Sequence, residues 1–208
     1  MPTYYHFSQL APGNWSPGNR YRTPEGEQNF YWQKVFARAS YEQNLARAQS
    51  SVNPPASPEA QSLVHTVAAK DYLLACFREL LFEMVRQEIA AQLPSRSNCL
   101  FLVERDADLA ACSQRYGFGE SQRTVLEIEP LDGSQLFRAH ATLLDTSIIA
   151  EDILRAARQY WEGVSGDTPA DEVEILLSGP FRILNVMELG AGPSITIEGE
   201  GFAELLGE

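Results

Sequence analysis

Pro94-Ser95-Arg96-Ser97-Asn98-Cys99-Leu100-Phe101-Leu102-Val103 is where the chain changes its hydrophobic period. Before it, Leu73, Leu74, Phe77, Leu80, Leu81, Met84, Val85 and Ile89 recur at the i, i+3, i+4, i+7 spacing of one helical face, and Leu93-Pro94 closes the run. The stripe predicts a long core helix. Ser57-Pro58-Glu59 reads as an N-cap followed by proline at the first helical position, opening this helix or the one before it. After Pro94, Cys99 to Val103 is a short apolar run of strand type, entered from a polar loop that carries an arginine.

Strand signals dominate from there to the C-terminus. Asp106 is expected to cap a short helix ending near Tyr116-Gly117. Thr124 to Pro130 alternates Val125, Glu127 and Glu129 against Leu126 and Ile128, the pattern of a half-buried strand. Gln135 to Leu144 is expected as another strand, and Ser147 to Trp161 as an amphipathic helix. Glu172 to Leu177 and Phe181 to Leu189 follow as strands split by the turn Ser178-Gly179-Pro180, with Ile195 and Ile197 on a further edge strand. Upstream, Tyr4-Tyr5-His6-Phe7 is an aromatic strand, followed by turns at Pro12-Gly13-Asn14 and Pro17-Gly18-Asn19. Residues 30–49 have helical spacing, and Ser50 to Pro58 reads as a surface loop. Strands grouped in the second half, with helices at intervals, point to α+β rather than a regular βαβ series. The 208 residues suffice for one domain over 1–208, with 30–93 a mainly helical insertion in its N-terminal half.

Composition limits the function classes. A formal net charge of -12 argues against broad binding to duplex nucleic acid or an anionic membrane, both of which need a basic face. Lys34 and Lys70 are the only lysines, and arginine's planar fork suits phosphate, although codon composition also produces such usage. Cys76, Cys99 and Cys112 are far apart and form no C-x-x-C, so they read as small buried hydrophobes and not as a disulfide or zinc framework. His6, His65 and His140 show no metal-ligand spacing, and no metal site is expected. Nucleotide-fold motifs of the G-x-G-x-x-G and G-x-x-x-x-G-K types and the G-x-S-x-G elbow are missing. Without an 18-residue apolar span or a basic-then-apolar leader, the cytoplasm is the expected compartment. A chain delivered by a specialised secretion system would look the same.

Three segments carry the chemistry: Tyr4-Tyr5-His6-Phe7-Ser8, the Pro94–Val103 loop and strand with Tyr116 on the helix behind it, and Glu172-Val173-Glu174-Ile175-Leu176-Leu177 leading into Ser178–Ile183. In this order they resemble the ADP-ribosyltransferase superfamily, the group of diphtheria toxin and the poly(ADP-ribose) polymerases. Through Pro94-Ser95-Arg96 and Tyr160-Trp161-Glu162-Gly163 the chain also resembles an uncharacterised bacterial family of that superfamily. The resemblance implies an ADP-ribosyltransferase-like split mixed or antiparallel sheet, NAD as substrate, and transfer of ADP-ribose to an acceptor, possibly a protein.

It further implies that Tyr5, His6 and Ser8 form the strand whose histidine meets the adenosine ribose, and that Glu174 is the catalytic glutamate. Tyr116 lies near the place of the tyrosine that stacks on nicotinamide. Cleaving the nicotinamide–ribose bond passes through an oxocarbenium-like state, which a fixed carboxylate stabilises. Glu172, two residues earlier and on the same side if both lie in a strand, is a candidate for orienting the acceptor. Arg96, aided by Ser95 and Ser97, is a candidate for gripping the pyrophosphate. One departure stands out: His6 is followed by Phe7-Ser8 and not by Gly-Thr. Taken alone, the same residues also read as a satisfied strand histidine, solvent-facing strand carboxylates, an arginine paired with a carboxylate and a core tyrosine. A non-catalytic NAD-binding module and a small interaction protein are therefore the alternatives.

Overall fold

The computed structural model describes residues 2–8, 10–23, 25, 27–50, 57–115, 123–144, 148–164, 167–189 and 195–197. In chain order the first elements are β1 (Tyr4–Ser8), β2 (Arg20–Arg22), α1 (Phe30–Val35), α2 (Arg38–Ser50), α3 (Pro58–Ile89), β3 (Leu100–Glu104) and α4 (Leu109–Arg115). They are followed by β4 (Arg123–Pro130), β5 (Gln135–His140), α5 (Ala150–Glu162), β6 (Val173–Ser178), β7 (Pro180–Leu189) and β8 (Ile195–Ile197). The protein is α+β, as its hydrophobic periods require. The backbone divides into two compact units. One comprises residues 1–23, 99–141 and 163–208, and holds the sheet. The other comprises residues 24–98 and 142–162, and holds the helices other than α4.

In the sheet unit the strands run in the order β2-β7-β4-β1-β3-β6-β5, with β8 added on β7, and every pairing is antiparallel. The mixed option falls away. Both faces are packed. Leu102, Leu126, Ile128, Val173, Ile175, Leu177, Phe181 and Ile183 cluster on one face. Tyr5, Phe7, Val103, Val125 and Met187 cluster on the other, with Ala107 and Cys112. β4 is therefore not half-buried: Val125, Leu126 and Ile128 are all enclosed, and a bulge between Glu127 and Ile128 adjusts its register on β7. The β6–β7 hairpin turns at Gly179 (φ 109°), where a Cβ would lie 3.0 Å from the Gly133 carbonyl oxygen, so only glycine fits.

Several element ends move from their expected places. Asp108 caps α4, accepting from the amides of Ala110 and Ala111 at 2.8 and 3.1 Å, in place of Asp106. β5 stops at His140, and Ala141–Leu144 is a 3-10 turn. β2 was not legible, because three residues are too few to set a period.

In the helical unit, the helical spacing of residues 30–49 is realised as two helices, α1 and α2. Asn29 caps α1, accepting from the Trp32 amide at 2.8 Å and donating to the Arg96 carbonyl at 2.9 Å. Ser57 caps α3, with Pro58 at its first position. The buried face of α3 is Val64, Ala68, Glu79, Phe82 and Val85. The stripe Leu73, Phe77, Leu80, Met84 and Ile89 is exposed, which corrects the reading of the whole periodic run as core. From α5, Trp161 donates to the Phe82 carbonyl at 2.7 Å and Tyr160 packs edge-on against Phe82.

Candidate functional site

β1 is hydrogen-bonded to β4 along its whole length, from Tyr4↔Ile128 to Ser8↔Thr124. Its ladder to β3 is confined to two pairs, Tyr4↔Glu104 and Tyr5↔Val103. The first half of β3 pairs with β6 instead, Leu100↔Leu177 through Leu102↔Ile175. The sheet thus splits between His6–Ser8 and Leu100–Leu102, and β3 passes from one neighbour to the other across the gap.

His6 stands at the apex of this split. Its Nδ1–H donates to the Phe101 carbonyl at 2.8 Å, supplying a partner to a backbone oxygen beyond the end of the β1–β3 ladder. A carbonyl can only accept, so this bond fixes the tautomer and leaves Nε2 as the ring's acceptor, with no partner among the described residues. Burial lowers the imidazole pKa to about 4 against the opposing effect of the Phe101 bond, so the ring is neutral at neutral pH. A neutral Nε2 in a backbone gap is a hydrogen-bond acceptor for a hydroxyl or an amide.

The faces follow from the registers. Tyr4, His6, Leu102, Glu104 and Ile175 share one face; Tyr5, Val103 and Glu174 share the other. Glu174 is buried, only 2 % exposed, and stands opposite Ala139 on β5. It is thus on Tyr5's side of the sheet and not on that of His6. Glu172 is half-buried at the end of a 3-10 turn, Ala170–Glu172, its amide bonded to the Pro169 carbonyl at 2.9 Å. It is outside the strand, so strand alternation does not pair it with Glu174.

Other expected contacts are engaged elsewhere. The Ser8 Oγ is buried and accepts from the Leu10 amide and from Trp15 Nε1, both at 3.0 Å, tying down the loop after β1. Tyr5 is core; its phenol is raised by burial first and by Glu127 next, with Arg105 opposing. Tyr116 lies outside the described residues.

Arg96, expected on a pyrophosphate, lies in the helical unit, buried at 2 % exposure. Its Nε donates to Glu79 at 2.9 Å and a terminal nitrogen to the Tyr160 hydroxyl at 2.8 Å, with the guanidinium 5.3 Å from the Tyr160 ring centre. Its donors are thus engaged within the chain. The same fork that suits a phosphate is here matched to an internal carboxylate, because a buried guanidinium without a counter-charge is costly. Arg78 and the Tyr31 hydroxyl bond Glu79 as well, at 2.9 and 2.8 Å. Burial pushes the Glu79 carboxyl up, but Arg96 and Arg78 outweigh it and hold the carboxyl below its ordinary range. Ser95 donates to Glu83 at 2.7 Å and shares a hydrogen bond with Ser97, so these hydroxyls brace the loop. Glu79 was legible in principle: it is the one acid in the buried row of α3.

Sequence reasoning missed a polar group on His6's own face. Arg138 on β5 bonds Glu104 on β3 at 2.6 Å. Tyr4 lies beside them, its phenol raised by burial and by Glu104, with Arg138 opposing. Arg138 Nε is buried and has no hydrogen-bond partner among the described residues. No group of three or more His, Cys, Asp or Glu among the described residues could hold a metal ion. No described helix is long and apolar enough to cross a membrane.

These features define an α+β protein with a split antiparallel sheet and a neutral histidine at the split. The chain belongs to the family described as protein of unknown function (DUF2441), which matches residues 4–189. No curated protein matches it.

Proposed function

We propose that the chain is an NAD-binding protein of ADP-ribosyltransferase type, which cleaves the nicotinamide–ribose bond and passes ADP-ribose to an acceptor. One observation carries the reading. The three segments behind the resemblance are far apart in sequence, yet they form the neighbouring strands β1, β3 and β6, and the sheet opens beside the histidine of the first. His6 Nε2 is an acceptor for a ribose hydroxyl. Arg138, on His6's face, replaces Arg96 as the guanidinium for the pyrophosphate, with its unpartnered Nε available for that bond. In the reaction the carbon–nitrogen bond breaks with its electron pair leaving on nicotinamide. The acceptor then bonds the anomeric carbon and gives its proton to a carboxylate or to water. Glu172 is the more accessible of the two candidate carboxylates.

Binding without turnover is the second reading, and a specific observation favours it: Glu174 is buried on the face away from His6. Calorimetric titration with NAD, run beside an assay of nicotinamide release, tests both. Binding that His6→Ala and Arg138→Ala each weaken supports the site. Release abolished by Glu174→Gln or Glu172→Gln, with binding retained, supports turnover, and binding with no release supports the second reading. No binding at millimolar NAD overturns both.

A further inference from the structure

The longest helix leaves an apolar seam uncovered. Leu73, Phe77, Leu80 and Met84 are 61, 43, 53 and 50 % exposed. Their spacing of four, three and four residues is that of heptad d, a, d and a positions, and it extends to exposed Lys70 before the seam and exposed Gln87 after it. Large apolar side chains exposed in one continuous row and bounded by polar residues mark a contact surface. The buried face of α3 is a different row, so the seam is not needed for the chain's own core.

We propose that this seam joins two copies of the chain through antiparallel α3 helices. Charge selects a second copy in this orientation. The register that sets Phe77 against the partner copy's Leu80 sets Leu73 against its Met84. The same register brings Lys70 to its Gln87–Glu88 end. Lys70 and Glu88 are both exposed, and the two-fold axis repeats their attraction at the other end of the seam. A parallel pair would instead place Lys70 against Lys70 at one a layer. Area sets its strength. Each of the four side chains offers roughly 100 Å² of exposed surface. Two copies would together bury on the order of 800 Å², below the usual range of stable complexes. The pairing is a weak, concentration-dependent dimer.

Sedimentation equilibrium of the whole chain from micromolar to sub-millimolar concentration tests this. The expected result is a monomer–dimer equilibrium. Leu80→Glu should weaken it about a hundredfold, because each dimer would then enclose two unpaired carboxylates in the central layers. Leu80 is exposed, so the variant should keep its circular dichroism spectrum. Lys70→Glu should weaken the dimer about three- to tenfold, and Lys70→Glu combined with Glu88→Lys should restore it. That restoration distinguishes the antiparallel pair from any other contact through the same face. A monomer across the whole range, a dimer unaffected by Leu80→Glu, or a charge reversal without restoration would each overturn the proposal.

Discussion

The split in the sheet unit and the ionic cluster in the helical unit both bury polar side chains, and they do so in opposite ways. At Glu79 two guanidiniums, a phenol and a carboxylate converge, and each of the four makes hydrogen bonds within the cluster. At His6 a single neutral ring makes one bond to the backbone and keeps one lone pair uncommitted. A buried charge must be closed off by its partners to be tolerated, whereas a neutral group can be left half-satisfied at modest cost. Full pairing therefore identifies Arg96 as part of the architecture. Incomplete pairing leaves acceptor capacity at His6 and donor capacity at Arg138, and the proposed NAD site rests on both.

The comparison breaks first at Glu79. Glu79→Gln leaves two guanidiniums without their carboxylate and is expected to destabilise the protein by about 3–5 kcal/mol, measured by urea denaturation. A loss below about 1 kcal/mol would mean that the cluster is not closed. His6→Ala should cost less, about 1–3 kcal/mol, since it removes a single hydrogen bond to the Phe101 carbonyl, yet on the proposed reading it should remove the affinity for NAD. Equal losses of stability in the two variants would erase the distinction.

Acid separates the two regions by pH window. The folded His6 pKa of about 4 lies below the ordinary 6.5, so between these values the unfolded chain takes up a proton that the folded chain refuses. Stability should fall by roughly 1–3 kcal/mol as pH drops from 6.5 to 4, and His6→Gln should flatten that slope. The Glu79 carboxyl is held below its ordinary value of 4.5, so its contribution is present above that pH and is lost as pH falls further. Denaturation midpoints taken at half-unit steps would resolve the two windows; a slope unchanged in the histidine variant would count against a buried neutral ring. The smallest effect is expected away from both regions. Ser57→Ala removes the cap of α3 and should cost about 1 kcal/mol, with no change in NAD binding.

Much of the fold was readable because periodicity is a local property. The α+β class, the strands at Tyr4–Ser8, Leu100–Glu104, Val173–Ser178 and Pro180–Leu189, the Ser57 cap and the Gly179 turn all follow from side-chain alternation and backbone stereochemistry within a few residues. His6 was found by its aromatic strand. What its ring does was not readable, because the Phe101 carbonyl is 95 residues away. Arg96 and Glu174 were chosen by residue type and order, and tertiary structure decided their surroundings. Arg96 met a carboxylate from α3, 17 residues earlier, and the register of β6 on β3 turned Glu174 away from His6. Arg138 was passed over because nothing in Gln135–His140 shows that Glu104 stands beside it. The α3 stripe shows the limit most directly. A heptad spacing specifies that a face will be covered; it does not specify by what, and burial within the chain left Leu73, Phe77, Leu80 and Met84 outside. The sequence by itself determined the elements and their apolar faces, since these depend on neighbours in the chain. Which polar groups met, and which were left open, was decided only when strands and helices remote in sequence were brought within hydrogen-bonding distance.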